Sequence, residues 1–471
     1  MHTYPLGTSS LPLDSRRDSS YLLAFGFGTS VAMWGVGYLL RLPPVWMPSA
    51  GLLAVLLTCQ AIGAFLAVKS TGRGLKAGAA VGAFSAVINL LVLGSILGEG
   101  ESMARAAIWV PGSILVGAIL GVIGGLVARA AGGSVQAITE GDHAIDRAGS
   151  RSELRAPQSG AVVRDAVPAG SVWTERFAQV AVCATLFLIL VGGVVTSEEA
   201  GLAVVDWPNS FGRNMFLFPL SRMTGGVYYE HAHRLFGSLV GLTTLVLAFH
   251  IQMTEPRRWL KGLGWLAVLM VIVQGILGGL RVTGHFTSSE DPSITSPNLT
   301  LALVHGVFGQ LFFGTLVAIA VFTSRLWREA RIPFVSEKVG TDRRLSALLV
   351  AFVVVQLVFG AILRHTDGGL HLHVTMAVIV LVLGQIVGSR GLTYYAGAPD
   401  YRHMSKILIG LIGTQLVLGI AALMAVALAQ GQVDPPAYAV VLTTAHQANG
   451  ALILATCVVL ALWSRRILTP R

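Results

Sequence analysis

Twelve runs of about twenty apolar residues, each long enough to cross a hydrocarbon core, divide this 471-residue chain. They fall at 21–40, 49–69, 76–97, 106–130, 175–196, 230–252, 260–280, 299–323, 345–363, 370–389, 405–429 and 440–463. The short alternating segments of a membrane barrel do not occur. Only 12% of residues are charged against 54% hydrophobic, too little charge to cover a soluble protein of this size. The expected fold is an all-α integral membrane protein with about 12 transmembrane helices and lipid as its solvent.

A net charge of +10 can signal nucleic acid, but its distribution here signals topology. With residues 1–20 in the cytoplasm, Arg16 and Arg17 lie there, and so does every second loop after them. Those loops hold Lys69, Arg73 and Lys76, then Arg257, Arg258 and Lys261, then Arg325, Arg328 and Arg331, then Arg390, Arg402 and Lys406. The tail, with Arg465, Arg466 and Arg471, falls on the same side. The opposite loops are poor in Lys and Arg. This positive-inside bias places both termini in the cytoplasm of a multi-pass cell membrane, and no nucleic-acid partner is expected. Segment 21–40 is read as an uncleaved anchor, and with only two arginines in the first twenty residues the membrane is read as a bacterial one. Cys59, Cys183 and Cys457 are isolated within spans and read as buried apolar filler.

Residues 131–172 mix Gly, Ser, Ala and both charges without apolar period, and read as a cytoplasmic linker. Four spans (1–130) precede it. The eight that follow divide into bundles at 173–325 and 345–471, joined by a basic linker at 326–344. The division rests on register. His233 and His305 are 72 residues apart, and His373 and His446 are 73 apart. From His233 to His373 is 140 residues, while His305 to His446 and Gln274 to Gln415 are each 141. A tandem duplication of a four-helix unit accounts for these shared offsets.

Histidine inside a membrane span is costly and marks function. His233, His305, His373 and His446 all open spans from the outer side, at similar depth. One helical turn on stand Gly237, Gly309, Ala377 and Gly450, small enough to leave room for a flat macrocycle. His231 and His371 are followed instead by Leu235 and Thr375, so they are not taken as ligands. Two imidazoles on separate helices can clamp a heme iron from both faces, which gives one heme per half. Zinc is disfavoured, since no cysteine and little carboxylate joins these histidines. A di-iron site would need the Glu-x-x-His spacing of Glu230 and His233 in both halves, and Leu370 stands where the second Glu would be. That asymmetry makes the first half the seat of the reacting molecule and the second the seat of a permanent cofactor. As a structural element, Glu230 would be a carboxylate at a helix N-terminus. Arg234, Arg281 and Arg364 lie near outer span ends, as propionate partners or interfacial cations.

From Val194 onward the chain resembles the heme A synthase family. The resemblance is carried by TSEEAGLAVVDWP (196–208), GGVYYEHAHRLFGSLVG (225–241), QGILGGLRVTG (274–284), LVHGVFGQ (303–310) and TAHQANGAL (444–452), and covers about residues 175–465. It implies oxidation of the C8 methyl group of heme O to the formyl group of heme A, in support of cytochrome oxidase assembly. By the same resemblance His233 and His305 flank substrate heme O, His373 and His446 ligate heme b, and Glu230 is the catalytic carboxylate. It further implies a heme O synthase as upstream partner, and an electron donor that the sequence does not identify. Val204 and Ser210 stand where many bacterial members have cysteines, and Val374 stands where an Arg commonly follows the third histidine. The first four spans have no counterpart in the family core. The alternative reading of the same histidines is a two-heme b-type membrane electron carrier.

Overall fold

A computed structural model describes residues 19–43, 45–92, 103–142, 172–283, 298–328 and 334–471. It contains twelve helices long and apolar enough to span a membrane. In chain order they are α1 (Tyr21–Leu40), α2 (Ser49–Thr71), α3 (Leu75–Val92), α4 (Met103–Asp142), α5 (Val172–Ser197), α6 (Gly225–Thr254), α7 (Arg258–Val282) and α8 (Leu299–Thr323). After the short α9 (Arg325–Arg328) come α10 (Val339–Thr366), α11 (Leu370–Tyr394), α12 (Pro399–Ala429) and α13 (Ala437–Arg466). The protein is an all-α, multi-pass membrane protein. Large apolar side chains such as Ile108, Leu269, Val382 and Leu428 stand exposed along the helices, as lipid-facing surfaces require.

The chain separates into two compact units, one built on α1–α4 with the first turns of α5, the other on the rest of α5 and everything after it. In the first unit the helices approach through glycine. A Cβ on Gly82 would fall 2.0 Å from the carbonyl oxygen of Gly117, and one on Gly121 would fall 2.2 Å from that of Gly78. Only hydrogen at these positions lets α3 and α4 touch backbone to backbone. At the centre, the Gln60 amide donates to the Gly82 carbonyl (2.8 Å) and to Ser85 Oγ (3.1 Å), so this buried polar group is satisfied. Helix α4 runs to Asp142, beyond Ala131 where a linker is expected; residues 143–171 of that linker lie outside the described residues.

In the second unit α5–α8 and α10–α13 run alternately up and down. The end where residues 198–224 connect α5 to α6 is termed the loop end, and the opposite one the basic end. At the basic end, Asp342 on α10 is buried and accepts from both Arg390 on α11 and the Tyr395 hydroxyl just after it. Arg343 donates to the carbonyls of Ser464 and Leu468, and Arg466 to that of Trp327. Strand β3 (Phe334–Ser336) pairs in parallel with β4 (Leu468–Pro470), tying the tail beneath α10. The two-residue strands β1 (Asn209–Ser210) and β2 (Arg213–Asn214) form a hairpin in the loop at the other end. Helix α10 therefore begins six residues before the expected 345, because Asp342 and Arg343 are spent on partners instead of lying in a linker. Of the three cysteines, Cys457 is buried and Cys59 half-buried, but Cys183 is exposed on α5, contrary to its reading as buried filler. Its position on the helix turns it to the unit's apolar exterior, where a thiol behaves as a small hydrophobe.

Removing Asp342 strands the buried Tyr395 hydroxyl and leaves the partly exposed Arg390 unpaired. Asp342→Ala should destabilise the second unit by about 3 kcal/mol, read as a lower thermal midpoint in detergent. An unchanged midpoint would show that these bonds contribute nothing.

Candidate functional site

The histidines singled out in the sequence stand near the loop end on α6, α8, α11 and α13, and they come together in pairs. His233 and His305 have ring centroids 6.4 Å apart with planes at 75°. His373 and His446 have centroids 6.2 Å apart with planes at 66°. Metal–imidazole bonds of about 2 Å put the centroids of two opposed ligands roughly 6 Å apart, and both pairs meet that spacing. Among the described residues, no third His, Cys, Asp or Glu completes a metal-holding group at either pair. Each site thus offers two protein ligands, which suits an iron already carried in a macrocycle and not a bare zinc ion.

What aims the rings is a feature that histidine spacing does not reveal. Each imidazole packs its Cε1 against a glycine of the preceding helix. A Cβ built on Gly192 of α5 would stand 3.1 Å from His233 Cε1, one on Gly278 of α7 3.1 Å from His305, one on Gly360 of α10 3.2 Å from His373, and one on Gly419 of α12 3.1 Å from His446. At Gly192 and Gly278 the distances lengthen through Nδ1 to Nε2, so Nε2 is turned away from the glycine. The Nδ1 atoms of His233, His305 and His446 are buried without a hydrogen-bond partner. Three of the four glycines follow a glutamine by one turn. The Gln274 amide donates to the His305 carbonyl (2.9 Å), Gln356 Nε2 lies 3.1 Å from His373 Nδ1, and Gln415 Nε2 lies 3.3 Å from His446 Nε2. The signal was present as Q-x-x-x-G at 274–278, 356–360 and 415–419.

The small residues after each histidine differ in what they face. A Cβ on Gly237, or on Gly241 a turn further along α6, would meet nothing within 4 Å. At Gly309 it would come 3.0 Å from Gln274 Nε2, and at Gly450 3.6 Å from Gln415 Nε2, so these two make room for glutamine. His231 is fully buried, bonded through Nδ1 to Ser210 Oγ (3.1 Å) and packed on Phe218 (4.9 Å), which assigns it to the loop. His371 is exposed.

The 198–224 loop is latched onto α6 and α7 by the motif residues. Asp206 accepts from the backbone amides of Phe211 (2.7 Å) and Gly212 (2.8 Å), closing the turn. Arg234 donates to the carbonyls of Asp206 (2.6 Å), Asn209 (3.0 Å) and Val204 (2.6 Å), and to Glu230 Oε1 (2.6 Å). Glu230 Oε2 accepts from the Val204 amide (2.8 Å). The side chains of Glu230 and Arg234 are only 5% and 9% exposed. Trp207 lies flat on Gly279, where a Cβ would meet its ring at 2.4 Å. The adjacent glycines of α7 thus serve two contacts, Gly278 for His305 and Gly279 for the loop. Glu230 sits in the second turn of α6, which starts at Gly225, so its partners are Arg234 and the loop and not the helix end.

In the second half the α10–α11 connection is only Asp367–Gly369, with Asp367 and Gly369 both at positive φ. That turn is too short to cover anything. Arg364 donates to Ser197 Oγ (3.2 Å) beside a cleft of about 270 Å³ that Glu199 and Thr443 also line.

Asp206 is the lock of the loop. Asp206→Ala removes two charge-assisted bonds, at a cost of about 3 kcal/mol, and should speed limited proteolysis within 198–224 by more than tenfold. Cleavage at the wild-type rate would show that the turn holds without it.

Compared with known proteins, residues 175–377 match the model of the COX15-CtaA family, described as cytochrome oxidase assembly protein. The chain is 27% identical over 202 residues to a heme A synthase of Lysinibacillus sphaericus, covering 42% of this chain and 60% of that relative. It is 26% identical over 337 residues to one from a Caulobacter strain, covering 59% and 92% respectively. A third, from Alkalihalophilus pseudofirmus, is 25% identical over 188 residues, covering 39% of this chain and 57% of the relative. The chain therefore spans under two thirds of two of these curated relatives and nearly all of the other. The matched stretch contains the latched loop and three of the four paired histidines, so the likeness to the COX15-CtaA family falls on the site itself.

Proposed function

We propose that this protein is a heme A synthase, an oxidoreductase that converts the C8 methyl group of heme O to the formyl group of heme A. The observation that carries this reading is two histidine pairs of like spacing, only one of which lies beneath a latched loop with a buried carboxylate. His233 and His305 hold the substrate, heme O. His373 and His446 hold heme b, which when bound supplies single-electron transfer.

The remaining chemistry belongs to the chain. His305 on α8 and His446 on α13 stand on helices that pack together through Phe313, Val317 and Ala451, so the two sites share a wall. The 198–224 loop, pinned by Arg234 and Trp207, excludes water from the first site. Glu230 is held by one donor on each oxygen, which fixes its orientation and leaves lone pairs to accept a proton from the substrate methyl or to stabilise positive charge developing there. Two successive two-electron oxidations of the methyl, each with dioxygen as the oxidant, give the alcohol and then a geminal diol, which loses water to the aldehyde. The division into 1–130 and two heme-binding halves, the cytoplasmic termini, the bacterial cell membrane and a heme O synthase that delivers substrate belong to the same proposal.

Pigment extraction from the purified protein should yield heme b together with heme O or heme A. Heme b alone, or a colourless preparation, would overturn the reading. Glu230→Gln keeps an acceptor for the Val204 amide but removes the charge. It should lower heme A output at least about a hundredfold while leaving loop proteolysis unchanged. Undiminished heme A would remove Glu230 from catalysis. His373→Ala should abolish the heme b contribution to the Soret band, and an unaltered band would withdraw it as a ligand.

A further inference from the structure

The loop end of the first half holds an arginine whose donors find no acceptor among the described residues. Arg234 is consumed by three carbonyls and Glu230. Arg364 is bonded to Ser197 and faces the carboxylates of Glu199 and Asp367. Arg281, in the last turn of α7, has no hydrogen bond or ion pair among the described residues, and its Nε is buried. The carboxylate acting on it is Glu230, whose oxygens already serve Arg234 and the Val204 amide. Its guanidinium is pressed against Gly201, where a Cβ would fall 2.5 Å from Nη2 and 3.1 Å from Cζ. It also follows Gly278, the glycine beneath His305, by three residues, and its charge acts on both His233 and His305.

An arginine stays charged in any protein setting, and its planar fork of donors matches a carboxylate. A heme offers carboxylates on one edge only, its two propionates. We infer that Arg281 anchors a propionate of the porphyrin gripped by His233 and His305, and so sets which edge of the substrate faces the loop end; this rests on the heme reading above. The C8 methyl adjoins a propionate-bearing carbon of the ring. Anchoring that edge at Arg281 carries this methyl toward Glu230 and turns the methyls on the far side of the ring away. Gly201 leaves the guanidinium room, since any side chain there would collide with it.

The test is binding, not turnover. Full-length protein in detergent is titrated with ferric protoporphyrin IX and with its dimethyl ester, which lacks free carboxylates, and the Soret change is recorded. Repeating each titration with His233→Ala identifies the part of the signal that belongs to this pair. In that part the wild type should bind the free acid at least about tenfold more tightly than the ester, the scale of one charge-assisted contact. Arg281→Gln should bring the two within about twofold, and Arg281→Lys should restore part of the preference. Wild type that binds acid and ester alike overturns the assignment with no variant needed, as would happen if Arg281 served a lipid phosphate. So does a preference that Arg281→Gln leaves intact. Absence of any His233-dependent Soret change in wild type would instead remove the heme reading itself.

Discussion

Four imidazoles in the second unit are positioned by a missing side chain on the helix before each one. Gly192, Gly278, Gly360 and Gly419 all lie so close to a histidine Cε1 that a methyl group would have to displace the ring. Glycine inside a helix costs about 1 kcal/mol relative to alanine, so each position gives up helix stability for contact. The return is orientation: an imidazole pressed on one edge against backbone has few rotamers left and presents Nε2 in one direction. Within a bilayer, where apolar burial drives no association between helices, such close contacts also hold the helices together. Ligand placement and helix packing are therefore one interaction here. The point is plainest at Gly192 and Gly193. The first abuts His233, and the second abuts Thr444 and Gln447 on either side of His446, so α5 touches both halves at neighbouring residues.

Against this shared frame the halves diverge at the loop end. The first half inserts residues 198–224 between its opening helices, and the second closes the same connection with three residues. The loop is gripped by side chains of α6, with Glu230 and Arg234 bonded to its backbone and His231 to Ser210, while Asp206 closes its own turn. A cover held by hydrogen bonds at the membrane boundary can open by exchanging them for water, whereas apolar packing in the span has no such exchange partner. The looser closure thus sits over the pair assigned to a molecule that must enter and leave.

Much of the fold was legible because lipid imposes a length and a polarity on every span, and run length alone locates twelve helices. The ends were less so. Helix α10 begins at Val339 because Asp342 finds Arg390 and Tyr395, and hydropathy does not register pairing between residues 48 and 53 positions apart. At the site, the 72- and 73-residue intervals indicated which histidines correspond, since a duplicated scaffold preserves spacing. The glycines beneath them were less legible: a glutamine one turn earlier marks three of the four, but glycines are common in membrane helices and contact distances are needed to separate the ones that matter. Glu230 was legible as a carboxylate near a helix start. Its actual partners, the Val204 amide and Arg234, depend on how a 27-residue loop folds back, and local sequence carries no signal for that.

The charges at the loop end complete the distinction between the halves. In the first, Glu230 stands between two guanidiniums, Arg234 and Arg281, so among the described residues one positive charge is left without a counterpart close to His233 and His305. In the second, Arg364 already faces Glu199 and Asp367. A net cation beside low-dielectric walls attracts an anionic porphyrin and holds it by its carboxylate edge, a contact that reforms and breaks as water gains access. A cation already matched by carboxylates adds no such pull, and retention there falls to the two axial imidazoles and the packing around them. On the proposed function, like histidine spacing with unequal electrostatics would let one half keep its heme and the other exchange it.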